Sequence, residues 1–230
     1  MFFHWSYLIL IPGVLLSLWA QNNIKGTYQR YAQIPSNMGM TGAEVARTIL
    51  TRMGVTDVVV EPVAGQLTDH YDPSAKAVRL SEGIYNSSSL AAAAVAAHEC
   101  GHVLQDKQDY SFMNFRASLV PAVNIGSNFG PMLVIFGIMF SAMGAFSSLM
   151  INLGIILFMG VIAFHLITLP VEFDASSRAL RIIDNLGILQ GEEHQGAKAV
   201  LQAAAWTYVA TAFYALLQLA QLMLMASRRR

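Results

Sequence analysis

Long uncharged apolar runs alternate along this chain with shorter segments whose apolar positions follow helix or strand periods. Residues 2–21 hold no acidic or basic side chain except His4. Residues 117–171 are 55 consecutive positions without Asp, Glu, Lys or Arg, and residues 199–227 contain none of the four either. A bilayer-spanning helix needs about 20 mostly apolar residues. The first run therefore predicts one span (2–21), and the second, too long for one helix, predicts two. Gly144 to Ser148 supplies small turn-forming residues near its middle, giving a helical hairpin with spans at about 119–143 and 149–169. Pro170 marks its end. A last span is predicted over about 203–225, with Trp206 and Tyr208 near one end, where interfacial aromatics sit.

The stretch between the first span and the hairpin reads differently. Thr41 followed by Glu44 forms a capping-box pattern. It opens a helix from Gly42 to Met53, which Gly54 closes. Val55 to Val63 is rich in β-branched residues and predicts a strand. Asp72-Pro73 signals a turn, and Lys76 to Leu80 alternates polar and apolar, predicting a half-buried strand. Ser87 to Ser89 offers an N-cap for a helix running to about Gln105. Its alanine-rich start, Leu90 to Ala97, strongly favours helix.

Composition sharpens this picture. Hydrophobic residues make up 55% of the 230 and charged residues 12%, against roughly 25% charged in an ordinary soluble domain. The formal net charge is zero, so the basic footprint of a nucleic-acid binder is missing. Cys100 is the one cysteine, which excludes an internal disulfide. The first apolar run lacks a basic leader and a small-x-small cleavage site, so it reads as a retained anchor. The expected organisation is a membrane anchor (1–21), a catalytic region (22–116), a transmembrane hairpin (117–171), a helix contributing to the site (172–202), and a last transmembrane helix with a basic tail (203–230). Eleven of the fourteen Lys and Arg residues fall in the two polar regions, 22–116 and 170–202. That bias places those regions on the cytoplasmic side, although Arg228 to Arg230 argue the other way.

The chemistry concentrates at residues 98–102, His-Glu-Cys-Gly-His, an H-E-x-x-H pattern. Positions four apart on a helix lie about 40° apart around its axis, so His98 and His102 project from one face and can share a tetrahedral ion. Glu99 sits beside them as a general base that can deprotonate a water without ligating the metal. The uncharged turns before the motif point to a buried helix, and buried His and Glu need partners such as a metal. Gly101 costs about 1 kcal/mol relative to Ala in a helix, which suits a close neighbour there. Cys100 lies about 200° from His98 around the helix and is expected in the core.

A catalytic zinc site needs a third protein ligand. Glu172 stands out because it ends the long uncharged run, with Asp174 as the alternative. Either can reach the histidines only if residues 117–171 cross the membrane twice. Arg178 and Tyr208 could act as oxyanion donors, but Arg178 better suits an interfacial or salt-bridging role and Tyr208 an interface anchor. His70 fits a local hydrogen bond in a turn, His165 lies in a span, and the edge of the strand Lys76 to Leu80 can pair with an extended peptide. The run before His98 is too short and polar to place the motif inside a spanning helix. One cysteine argues against a closed structural zinc site in a membrane scaffold, the non-enzyme alternative.

Four stretches carry a family resemblance: Asp69 to Pro73, His98 to Gln105, Leu169 to Leu180 and Ala203 to Ala210. Through them the chain resembles the YugP-like neutral zinc metallopeptidases of bacterial membranes across nearly its whole length. The resemblance implies a polytopic, mainly α membrane protein with a small α+β zincin-like region. It also implies one zinc per chain, held by His98, His102 and Glu172 in a gluzincin-type site, and peptide or protein substrates, reached either from the aqueous phase or from the bilayer. More distantly, Glu172 to Ser176 is similar to the E-x-x-A-D motif of HtpX-type peptidases. Ser176 stands where that motif has Asp, so support for a histidine ligand is expected from Asp174 or another carboxylate.

Overall fold

The computed structural model describes residues 5–227; His4, the start of the first expected span and the Arg228 to Arg230 tail lie outside the described residues. A 3₁₀ segment (Trp5–Leu10) leads into helix α1 (Ile11–Ala32), followed by α2 (Gly42–Arg52), strands β1 (Val59–Val63), β2 (His70–Asp72) and β3 (Ala77–Ser81), and a short α3 (Glu82–Tyr85). Helices α4 (Leu90–Lys107), α5 (Ser111–Met139), α6 (Ala145–Asn185) and α7 (Glu192–Ser227) complete the chain. It divides into two compact units, one of Met1–Ala20, Asn114–Pro170 and Thr207–Arg230, the other of Gln21–Met113 and Val171–Trp206.

The first unit holds the apolar runs. Among the described residues, four helices are long and apolar enough to cross a membrane: Trp5–Ala32, Ser111–Met139, Ala145–Asn185 and Glu192–Ser227. The turn between α5 and α6 falls at Phe140 to Gly144, where Gly144 takes φ +55°. The two helices approach closely through small residues: Gly130 lies against Gly154, and Ser147 Oγ donates to the Gly137 carbonyl at 2.6 Å. Such packing is how helices associate where the surroundings are as apolar as their side chains. Val134, Phe158 and Val161 lie beneath, while Leu149, Ile156 and Met139 are well exposed, as lipid-facing side chains would be.

Pro170, expected as a boundary, lies inside α6. The end of an apolar run does not end a helix. Proline removes one backbone hydrogen bond, but Val171, Ala175 and Ala179 follow as a fully buried stripe at four-residue spacing. That packing holds the helix through the proline. Similarly, α7 begins at Glu192, before its apolar run starts.

In the second unit, α4 is the central element, buried from Leu90 through Gln105 except at Val95 and His98. Ser89 caps it by accepting the Ala92 N–H. The Thr41–Glu44 capping box starts α2, whose Val45, Ala46, Ile49 and Leu50 bury one face. The sheet has order β1-β3-β2, with β1 parallel and β2 antiparallel to β3. β3 is thus flanked on both sides, which overturns the expectation of a free edge along Lys76 to Leu80. Ala77, Val78, Leu80 and Ser81 are all buried, so this strand is more enclosed than its alternation suggested. β2, three residues long, lies in the turn-rich segment where no period is readable. Asp72 Oδ1 accepts the Ser74 and Ala75 N–H groups, forming the expected turn.

Helices α4 and α6 meet where Gly101 touches the Ala175 backbone; a Cβ at position 101 would collide with the Ala175 carbonyl oxygen. Alanine should gain about 1 kcal/mol of helix propensity there, but forcing the collision costs about 1–3 kcal/mol. Gly101→Ala is therefore expected to lower the thermal unfolding temperature of the detergent-purified protein. Gly26→Ala, with open space at its Cβ, should raise it. Stabilisation by Gly101→Ala would contradict the close approach.

Candidate metal centre

Three donor atoms converge where α4 faces α6. His98 Nε2 lies 3.3 Å and His102 Nε2 3.6 Å from Glu172 Oε2. The three ligand atoms all fall within 4.8 Å of one another, a grouping that could hold a metal ion. The imidazoles stand nearly perpendicular, centroids 4.7 Å apart at 82°, so both direct an Nε2 toward the carboxylate without stacking. His102 and Glu172 are buried, and His98 is partly buried.

These separations fit a metal ligand set better than a hydrogen-bonded cluster. Charge-assisted N–O hydrogen bonds run at about 2.7–2.9 Å. The edge of a tetrahedron built on zinc–ligand bonds of about 2.0–2.1 Å is about 3.3–3.4 Å. The two histidine–carboxylate distances bracket that edge. Two imidazole nitrogens and a carboxylate oxygen also match the donor chemistry of a catalytic zinc site, with one position left open.

Each histidine is held through its other nitrogen. Ser176 Oγ lies 3.1 Å from His98 Nδ1, and Gln105 Oε1 lies 2.9 Å from His102 Nδ1. The serine that stood as a missing support in the sequence does contact a histidine. The carboxylate expected to replace it, Asp174, does not: it accepts from Gln105 Nε2 at 2.9 Å and from Arg178 Nε. Gln105 was not anticipated, although its spacing three residues after His102 places it on the same helix face. Burial works against a positive charge on His102, but the carboxylates of Glu172 and Glu99 outweigh it and raise the histidine's pKa. A metal entering here must displace that proton.

Glu99 is buried beside the cluster without belonging to it. Burial raises its carboxyl pKa, the fields of His98 and His102 oppose the rise, and the charges of Glu172 and Asp69 add to it. Asp69 is itself fixed by the Ser81 backbone N–H at 2.7 Å and hydroxyl at 3.0 Å.

The remaining candidates lie elsewhere. Cys100 turns from the cluster, its thiol 3.7 Å from the Ala46 carbonyl and its pKa raised by burial. Arg178 is committed to Asp174, to Gln108 and to the face of Tyr110, 5.7 Å from the ring centroid. That is an ion-pairing role rather than a free oxyanion donor. His70 Nδ1 bonds the Thr68 carbonyl at 2.7 Å, as its turn setting suggested. His165 and Tyr208 belong to the other unit.

Comparison with known proteins adds independent information. Residues 6–227 match the family described as "Putative neutral zinc metallopeptidase". The chain is 45% identical over 211 residues, 92% of each chain, to the "Putative membrane protease YugP" of Bacillus subtilis (strain 168). No solved structure matches the chain significantly. The chain belongs to the putative neutral zinc metallopeptidase family.

Proposed function

We propose that this family member is a multi-pass membrane endopeptidase of the gluzincin type, hydrolysing peptide bonds of membrane-associated peptides or proteins with one zinc per chain. The observation that carries this is the convergence of His98, His102 and Glu172, two elements apart in sequence, with Glu99 buried at their side. A zinc ion held by those three side chains supplies Lewis acidity, polarising the scissile carbonyl and bringing water's pKa toward about 7.

The chain's own residues supply the rest. Glu99 follows His98 directly and is buried at the side of the three-donor set without belonging to it, so it would serve as a base rather than as a ligand. It takes the proton from the attacking water and delivers it to the leaving amide nitrogen, so that the amine departs neutral. A carboxyl raised above its usual range by burial is a stronger base than an exposed one and so is suited to both steps. Ser176 and Gln105 keep the imidazoles aimed. The zincin-like frame is α4 with β3 and its neighbours, in the second unit. A closed structural site is disfavoured: the only thiol faces Ala46, and a three-donor set leaves room for substrate.

The test compares Glu99→Gln with Glu172→Gln in detergent-purified protein. Glu99→Gln should retain zinc and lose peptidase turnover by at least about 100-fold, the low end of a general base's contribution. Glu172→Gln should lose both. Undiminished turnover in Glu99→Gln would end the proposed mechanism. Orientation is a separate proposal: the Lys and Arg bias puts the second unit in the cytoplasm. Protease should then cut the exposed loop 64–67 in inverted but not in right-side-out vesicles, and the reverse pattern would place the unit outside.

A further inference from the structure

Gln105 is the most enclosed polar side chain in the second unit, with none of its surface exposed. An amide at such a position must satisfy two N–H donors and an acceptor within the protein. Its surroundings leave one way to do so. The Val171 carbonyl lies 2.8 Å from Nε2 and the Asp174 carboxylate 2.9 Å from the same atom. The Val171 carbonyl can only accept, and Arg178 Nε already donates to the Asp174 carboxylate, holding it in place as an acceptor. The nitrogen of the amide must therefore face α6, and Oε1 must face His102 Nδ1, 2.9 Å away. An amide oxygen only accepts, so Nδ1 must carry the hydrogen, which leaves the Nε2 lone pair for the side facing Glu172.

We infer that Gln105 is a positioning residue that fixes His102 as the Nδ1-protonated tautomer and, through its bonds to α6, sets that ring against Glu172. The inference rests on the zinc-peptidase reading above. The Val171 carbonyl belongs to the residue preceding Glu172, so one side chain ties the second histidine to the backbone that bears the third donor. The two histidines are not equivalent in this respect. Ser176 has a hydroxyl that can donate or accept and leaves the His98 tautomer open, whereas Gln105 allows only one. Partners of this kind typically contribute 10–100-fold to metal affinity.

The test measures zinc affinity by chelator competition on the full-length detergent-purified chain, together with the unfolding temperature of the metal-free protein. Gln105→Leu should weaken zinc binding about 10–100-fold. Gln105→Glu keeps an oxygen toward Nδ1 but cannot donate to both Val171 and Asp174. It should lose metal-free stability as Gln105→Leu does, yet bind zinc close to wild type. A purely structural role predicts that both variants lose affinity together, and that result, or wild-type affinity in Gln105→Leu, overturns the inference. Nitrogen-15 histidine spectra of the zinc-loaded wild type provide a readout that needs no variant. A His102 ring protonated at Nδ1 and ligated through Nε2 is expected; ligation through Nδ1 overturns it. A wild type that binds no zinc would instead overturn the zinc-peptidase reading beneath it.

Discussion

Everything at the candidate centre depends on how closely α4 and α6 approach. The H-E-x-x-H face of α4 supplies two donors and α6 supplies the third, so the site exists only where the two backbones come near contact. Gly101 permits that approach against Ala175. The alanines on either side of the contact, Ala97 on α4 and Ala175 and Ala179 on α6, keep the surrounding surfaces low. The helix-propensity cost of a glycine between the two histidines is offset by the geometry it allows. The fully buried stripe Val171, Ala175 and Ala179 performs a second task, keeping the residues after Pro170 helical so that Glu172 is presented from a formed helix rather than from a loop.

Around this contact the polar groups form one connected set. Arg178 holds Asp174, Asp174 and the Val171 carbonyl hold the Gln105 amide, and Gln105 holds His102. On the other side Ser176 holds His98. Buried polar groups are costly unless satisfied, and here each bond that satisfies one residue also aims the next. The buried Glu99 stands outside the set, which suits the proton-transfer role proposed for it.

Much of this was readable from the residues because the physics is local. The capping box at Thr41 and Glu44, the Ser89 N-cap, the H-E-x-x-H face and the glycine inside it are patterns of a few adjacent positions. The hairpin followed from a charge-free run too long for one helix. Glu172 could be singled out only because it ends that run, a long-range inference from a local discontinuity. What stayed hidden is set by tertiary packing. The continuity of α6 through Pro170 depends on a buried stripe whose neighbours are distant in sequence. The central place of β3 in the sheet depends on β1 and β2 pairing with its two edges, and β2 is too short to announce itself. The division of labour between Ser176, Gln105 and Asp174 is a matter of which side chains face each other across two helices, and spacing along either helix alone does not determine it.

The central claim is that two imidazoles and one carboxylate make a zinc site that excludes the protein's only thiol. X-ray absorption at the zinc edge of the purified, zinc-loaded protein tests it most directly. The account predicts a first shell of nitrogen and oxygen only, at about 2.0–2.1 Å, with the multiple-scattering signature of two imidazoles. A sulfur scatterer at about 2.3 Å, which only Cys100 or a methionine could provide, or a shell lacking two imidazoles, would contradict it.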